Sequence, residues 1–165
     1  MKALLKYTSL ALVILTTTVI QYSFLPHFTV MGIAPNILFI LFFTFVFFES
    51  NASYFDAILT TFTIGFFIDI FSQFYFGSTI FFLFVLLFLV KTMMHFLQER
   101  QEKYFLIYFI ALFVTTFTLY SAILDFTTTK SLLIDLLCNT ILAIVVFLIY
   151  QFLNIRNPKQ LRLFS

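Results

Sequence analysis

The sequence is short of charged residues, of cysteine and of glycine. Only 10% of its 165 residues are charged, against roughly 25% in an average soluble domain. In contrast, 62% are hydrophobic and the mean hydropathy is +1.10. This composition predicts an all-α integral membrane protein. Because no segment between the apolar stretches exceeds about a dozen residues, residues 1–165 are predicted to form a single transmembrane domain.

The scarcity of cysteine and glycine also limits the chemistry. Cys138 is the only cysteine, so an internal disulfide, a CxxC redox pair and a multi-cysteine metal cluster are excluded, and we interpret it as a packing residue. The three glycines form no G-x-x-x-x-G-K or G-x-G-x-x-G motif, and H-E-x-x-H and G-x-S-x-G are also absent. His95 has no second ligand at metal-binding spacing. We therefore expect no enzymatic activity and no cofactor or metal.

Six apolar stretches separated by polar or proline-containing turns predict a bundle of six transmembrane helices. They cover about residues 4–25, 35–48, 54–71, 79–97, 104–124 and 132–153. The second stretch rises only about 21 Å, less than the ~30 Å hydrocarbon core. Either the loop before this helix dips into the membrane or the bilayer thins locally. In the first stretch, Thr17 and Gln21 share a face and are expected to look into the bundle.

Basic residues are distributed unevenly between the two sides of this arrangement. The side that holds both termini collects eight of them, namely Lys2, Lys6, Lys91, Arg100, Lys103, Arg156, Lys159 and Arg162, and Lys130 is alone on the other side. The positive-inside rule therefore predicts that both termini are cytoplasmic. Lys91, within two turns of a helix end, is expected to snorkel to the interface. The net charge of +2 is too small to indicate a nucleic-acid partner.

Asp69 is the most unusual residue, because it places a carboxylate in an apolar run. Acidic residues in spanning helices are rare and usually face the interior of a bundle, so Asp69 is the first candidate functional residue. Thr61, Gly65 and Asp69 recur every four residues and so share one helix face. Gly65 would allow a second backbone to approach closely. Ser72 and Gly77 follow in the predicted turn, near the outer surface.

Two further stripes of small and polar residues follow the fifth and sixth helices. They are Ala111, Thr115, Thr118, Ala122 and Asp125 on one helix, and Ser131, Asp135, Asn139 and Ala143 on the other. We expect these stripes to converge with that of Asp69 on a small polar cavity or partner groove at the outer leaflet. Asp135 is explained equally well by the favourable helix dipole in a first turn. Hydrolysis by paired aspartates is conceivable, but no flanking motif accompanies them.

Several of these residues together form a pattern known from one family. Pro35 and Asn36 open a short apolar helix, and Gly65-x-x-x-Asp69-x-x-Ser72 with a nearby Gly77 leads into another. This combination, within residues 33–95, resembles MreD, the rod shape-determining membrane protein. The sequence departs from the family at position 36, where an aspartate is usual, and at Phe76-Gly77, where Leu-Gly is common.

The resemblance implies a non-enzymatic scaffold of the bacterial elongation machinery in the plasma membrane. Its expected partner is the single-span protein MreC, with MreB, RodA and a class B penicillin-binding protein as indirect partners. The family's helices are expected to be arranged like the substrate-binding subunits of energy-coupling-factor vitamin transporters, and such a transporter subunit is the alternative function. Against it, the first helix lacks an A-x-x-x-A pattern. Contact with membrane lipid is expected, and self-association stays open.

Overall fold

The computed structural model describes residues 2–29, 34–48, 54–72, 75–98, 105–124 and 129–155, and this part of the chain is helical without a strand. The α-helices are α1 (Lys2–Val19), α2 (Ile37–Phe48), α3 (Tyr54–Phe71), α4 (Ser78–Gln98), α5 (Phe105–Leu124) and α6 (Thr129–Ile155). A π-helical turn at Ile20–Phe24 and a 3₁₀ turn at Leu25–His27 continue α1.

Five of these helices are long and apolar enough to cross a membrane. The qualifying segments are Tyr7–His27, Tyr54–Phe71, Ser78–His95, Phe105–Ile123 and Leu132–Phe152. The prediction of an α-helical, multi-pass membrane protein is thereby confirmed. The exception is α2, whose twelve residues rise only about 18 Å. It is two residues shorter than predicted, because Pro35 and Asn36 precede its first turn.

Although α2 is the shortest helix, it lies at the centre of the bundle and contacts the other five. Eight of its twelve side chains are buried. A row of phenylalanines at four-residue spacing, Phe39, Phe43 and Phe47, packs against a matching row on α5. One edge-to-face pair, Phe43 with Phe113, has ring centroids 5.2 Å apart. Such pairs are favourable beyond the area they bury, so α2 and α5 are joined mainly by aromatic contacts.

The face that α5 presents to the bundle is not the predicted one. Its buried residues include Phe109, Phe113 and Phe117, whereas Ala111, Thr115 and Ala122 are exposed. At these three positions the stripe therefore does not line a cavity inside the bundle, and the alternative, a groove for a partner, stays a prediction. The aromatic rings fill the space beside α2, and the threonine hydroxyls of the stripe are satisfied within the helix, as when Thr115 donates to Ala111 O at 3.0 Å.

The first and last helices lie at the periphery. α1 packs on α3 and α2, and α6 packs on α5 and α2. Within their spanning segments, 11% and 17% of residues are buried, against 39–44% for α3, α4 and α5. α1 and α6 therefore leave most of their apolar surface open to the membrane or to a partner.

Candidate functional site

Asp69, near the end of α3, binds the start of α4. Its carboxylate accepts hydrogen bonds from three backbone N–H groups, those of Gly77 (2.8 Å), Thr79 (3.0 Å) and Ile80 (3.3 Å). The first N–H groups of a helix have no partner inside the helix, and the helix dipole favours an anion at this end. A carboxylate that is only 4% exposed is thus stabilised by the helix that follows it.

Two glycines make this contact possible. Gly77 has a φ of +95°, a conformation that favours glycine, and it turns the chain so that its own N–H points to Asp69. Gly65 lies one turn before Asp69 on the same face, and a Cβ added there would lie 2.9 Å from Ile80 Cα. The expectation that Gly65 admits a second backbone therefore agrees with the geometry, and that backbone is the first turn of α4.

The chemistry open to Asp69 is restricted by these bonds, because both carboxylate oxygens already accept N–H groups. The side chain faces the start of α4 instead of lining an open polar cavity. Thr61, two turns before Asp69 on the same face of α3, is fully buried, and its hydroxyl donates a hydrogen bond to Ala57 O at 2.7 Å. Ser72 donates to the Asp69 backbone oxygen at 3.3 Å. The arrangement is that of a helix-to-helix joint.

A second polar cluster surrounds the start of α2. Asn36 occupies the N-cap position, and its Oδ1 accepts hydrogen bonds from Phe39 N–H at 3.0 Å and from Gln21 Nε2 at 3.1 Å. Gln21 Oε1 accepts the Leu38 N–H at 2.8 Å. The Asn36 N–H donates to Asn139 Oδ1 at 2.8 Å. We call Gln21, Asn36 and Asn139 the amide cluster; it satisfies the N–H groups with which α2 begins.

The amide cluster brings together residues from three helices. Gln21 lies in the π-helical turn of α1; such turns interrupt the regular register of a helix, and this one directs Gln21 to the start of α2. Asn139, on α6, is fully buried. Its Nδ2 donates to Asp135 O (2.9 Å) and Asp135 Oδ1 (2.6 Å). Asp135 thereby supports Asn139 from within the same helix.

The three predicted stripes do not form one cavity in the described part of the chain. Asp69 belongs to the α3–α4 joint, whereas Asp135 supports Asn139 of the amide cluster, and α2 packs between α3 and α6. Asp125 lies outside the described residues, as does the side chain of Ser131. The two groups nevertheless share one end of the bundle, since Tyr22, next to Gln21, stacks on Phe71 with ring centroids 5.3 Å apart.

The opposite end of the bundle contains a third polar group. Tyr7 of α1 donates a hydrogen bond to Asp56 Oδ1 of α3 at 2.7 Å. Lys91 of α4 is only 5% exposed, and its Nζ lies 6.0 Å from the centroid of the Tyr54 ring, within cation–π range. The expectation that Lys91 snorkels to the interface is therefore not met, because the side chain is buried in the bundle with its ammonium group beside the Tyr54 ring.

No three His, Cys, Asp or Glu side chains in the described ranges are grouped as metal ligands would be. Comparisons with protein-family models, with curated proteins and with solved structures find no match to this chain. Sequence reasoning missed several donors in these sites, namely the N–H groups of Thr79, Ile80, Leu38 and Phe39 and the hydroxyl of Tyr7. The predicted helix start about ten residues after Asp69 was the available signal for Thr79 and Ile80.

Proposed function

We propose that this chain is a non-enzymatic membrane scaffold of the bacterial cell-elongation machinery, of the MreD type. It binds an MreC-like single-span protein and supports peptidoglycan synthesis, with MreB, RodA and a class B penicillin-binding protein as indirect partners. In this proposal α2 is a sixth crossing, the helices are arranged as in energy-coupling-factor substrate-binding subunits, and both termini are on the cytoplasmic side of the plasma membrane.

The observation that supports a scaffold best is the use of the Asp69 carboxylate. Its two oxygens accept three backbone N–H groups at the start of the next helix, so the acid of the MreD-like motif holds two helices together. Catalysis by a carboxylate requires an oxygen that can reach a substrate. The role of Asp69 is therefore architectural, as a scaffold requires.

The other motif positions support the same proposal. Asn36 caps α2, Gly65 admits the backbone of Ile80 and Gly77 supplies the turn before α4. The residues through which the chain resembles MreD are thus the ones that start its second and fourth helices. That these residues share one structural purpose supports the helix arrangement that we propose.

Affinity purification of the tagged full-length chain from native membranes in a mild detergent tests the proposal. The expected result is co-purification of a single-span membrane protein with an extracytoplasmic domain, absent from a parallel preparation of untagged chain. Recovery of ATPase subunits, or of a bound vitamin in the purified sample, would instead establish the transporter alternative.

Asp69→Ala serves as an internal control for that experiment. If Asp69 is architectural, partner recovery falls only in proportion to the folded fraction, measured by size-exclusion chromatography. A variant that stays fully folded but no longer recovers the partner would show that Asp69 contacts the partner directly.

A further inference from the structure

The half of α1 that is nearer the chain start is little enclosed by the bundle. Among residues 7–15, all of which the structure describes, only Ile14 is buried. Leu12 and Val13 are 63% and 54% exposed. We call residues 7–15 the arm. Because so few of its side chains are surrounded by other helices, packing alone contributes little to the position of the arm.

The other half of α1 is anchored by several contacts. Thr18 is fully buried. Gln21, in the π-helical turn, belongs to the amide cluster, and Tyr22 stacks on Phe71 of α3. These contacts tie this half to the start of α2 and to the end of α3. The helix is therefore fixed at one end, and the arm extends from that fixed part.

Two threonines weaken the helix between the arm and the anchored half. The hydroxyls of Thr16 and Thr17 both donate to Val13 O, at 2.9 and 2.8 Å. A threonine hydroxyl that bonds to the carbonyl one turn earlier offers that carbonyl an alternative to the backbone N–H, and such bonds often bend helices. Because the arm is little enclosed, a bend at this point meets little resistance from packing.

Tyr7 fastens the far end of the arm to α3. Its hydroxyl donates to Asp56 Oδ1 at 2.7 Å, and its ring lies edge-to-face with that of Phe55, with centroids 6.3 Å apart. Asp56 is only 8% exposed, and a hydrogen bond shielded from water is stronger than the same bond in water. Since a hydrogen bond needs a short distance, this one forms only when the arm lies against α3.

The arm also borders an apolar groove. Leu10 and Val13 of the arm line this groove together with residues of α2, α3 and α6. Ser9 lies about 12 Å from Thr17 along the helix axis, so a bend of about 20° at Thr17 would displace Ser9 by about 4 Å. Movement of the arm away from α3 therefore changes the width of the groove.

We propose that α1 contains a hinged arm. Residues 7–15 swing about Thr16 and Thr17, and the hydrogen bond from Tyr7 to Asp56 latches them against α3. With the latch closed, the arm forms one wall of the groove. With the latch open, the groove is wider at its end nearer Tyr7. This device lies within the single chain and does not depend on the proposed scaffold function.

Distances between pairs of spin labels test the hinge. In a Cys138→Ala background of the full chain, one label is placed at Phe88→Cys, which is 76% exposed on α4. The second label is placed on the arm at Ser9→Cys or on the anchored half at Val19→Cys, both at exposed positions. Pulsed dipolar EPR in lipid nanodiscs gives each distance distribution with and without Tyr7→Phe, which removes only the latch hydroxyl.

The two label pairs should respond differently to loss of the latch. At Ser9→Cys, Tyr7→Phe should raise the ratio of displaced to latched arm at least about fivefold, seen as a second distance shifted by roughly 4 Å. At Val19→Cys, the distance distribution should not change. Asp56→Leu removes the acceptor instead of the donor and should give the same shift, so it replaces Tyr7→Phe if that variant does not fold.

Variants of the threonines distinguish a hinge from general loosening of the bundle. Thr16→Val together with Thr17→Val removes both hydroxyls and keeps their branched shape. In the Tyr7→Phe protein, this pair should reduce the displaced population by about half or more. The matched control is Thr115→Val with Thr116→Val, which removes an equivalent pair of bonds to a single carbonyl of α5. It should leave the displaced population unchanged.

Three results would overturn the proposal. An unchanged distribution at Ser9→Cys after loss of the latch would mean that the bond from Tyr7 does not hold the arm. Equal shifts at Ser9→Cys and Val19→Cys would mean that α1 moves as one rigid helix. Equal effects of the two valine pairs would mean that Thr16 and Thr17 do not form a hinge. None of these results depends on the outcome of the co-purification experiment.

Discussion

Asp69 shows how a carboxylate can be placed in a spanning segment at low cost. An acidic residue at the centre of a spanning helix costs about 2.5–3.5 kcal/mol on insertion scales. Here the charge lies near the helix end and accepts three N–H groups of α4. Hydrogen bonds to a charged acceptor are stronger than neutral ones, and the same N–H groups would otherwise be unpaired. The charge and the helix start therefore stabilise each other.

Replacing Asp69 by alanine should destabilise the fold by about 2–4 kcal/mol, because it removes the cap and leaves buried N–H groups unpaired. Unfolding in an SDS titration measures this change. Ser72→Ala is the matched control on the same turn, and its loss should stay below about 0.5 kcal/mol because its 3.3 Å bond is long. Equal losses for the two variants would contradict the capping role.

Gly65→Ala should also destabilise, by about 1–3 kcal/mol, because overpacking forces the two backbones apart. The nearest atom to the added methyl group is the Ile80 Cα at 2.9 Å, so truncating that side chain with Ile80→Ala should not rescue the variant. Gly77→Ala has no atom within 4 Å of its new Cβ. Its cost is only the backbone strain of its positive φ, about 1–2 kcal/mol. Rescue of Gly65→Ala by Ile80→Ala would exclude a backbone contact.

The sequence carried part of this residue-scale information. The four-residue spacing placed Thr61, Gly65 and Asp69 on one face, and the structure buries all three. The bonding partners of Asp69 were not predicted, because they are backbone groups and leave no signature in residue type. The predicted cavity instead combined Asp69 with the polar residues Asp125 and Asp135, because a side chain can be recognised in a sequence and an unpaired backbone N–H group cannot.

Among the elements, α2 depends most on its neighbours. It is about 18 Å long, so its first turn begins inside the hydrocarbon region if its other end reaches the interface. Non-helical backbone at such depth is tolerated only where protein or a cavity surrounds it. The amide cluster provides that surrounding. A dipping loop and a thinned bilayer both stay predictions. In either case the chain enters the bundle at residues 34–36, and side chains of the amide cluster accept N–H groups at the start of α2.

Substitutions at Asn36 should separate hydrogen bonding from charge. Both hydrogen bonds of its side chain use Oδ1 as the acceptor, and an aspartate supplies that acceptor as well. We expect Asn36→Asp to fold, and Asn36→Ala to lose about 1–3 kcal/mol, since the Phe39 N–H and the Gln21 amide then lack a partner. Thermal unfolding in detergent compares the two. If Asn36→Asp unfolded and Asn36→Ala kept the stability of the unmodified protein, the explanation by hydrogen bonding would be wrong.

The orientation of α5 could not be derived from its pattern. In water, the apolar face of a helix turns inward, but lipid tails are as apolar as leucine and give no such preference. The small and polar stripe and the aromatic row of α5 were therefore both possible inner faces. Packing decided between them, because Phe109, Phe113 and Phe117 fit between the rings of α2. The π-helical turn that aims Gln21 was likewise invisible in residue spacing.

At the scale of the whole molecule, composition alone predicted the class correctly. A chain with so few charges and long apolar runs forms a helical membrane protein, and the five long apolar helices agree with this. Packing order was beyond the sequence. The bundle is organised around its shortest helix, which contacts all the others, and no hydropathy pattern distinguishes a central apolar helix from a peripheral one.

Single-cysteine labelling should reveal the orientation of the bundle. In a Cys138→Ala background, Tyr75→Cys places a thiol at a 92% exposed position between α3 and α4, and Gln160→Cys places one in the C-terminal segment. With cytoplasmic termini, a membrane-impermeant maleimide should label Tyr75→Cys in cells with a permeable outer layer. Gln160→Cys should react only after the inner membrane is disrupted. The opposite pattern would show an inverted bundle.

The hydrogen bond from the Asn36 N–H to Asn139 Oδ1 joins residues 103 positions apart. At roughly 5–20 residues per second, α2 is synthesised about 5–20 s before Asn139 exists. During that interval, the start of α2 lacks one of its partners, and only the arrival of the last helix completes it. In a chain that stops before α6, the Asn36 N–H therefore lacks its Asn139 acceptor. Unfinished copies of the chain thus differ from finished ones by an exposed polar group at the start of α2.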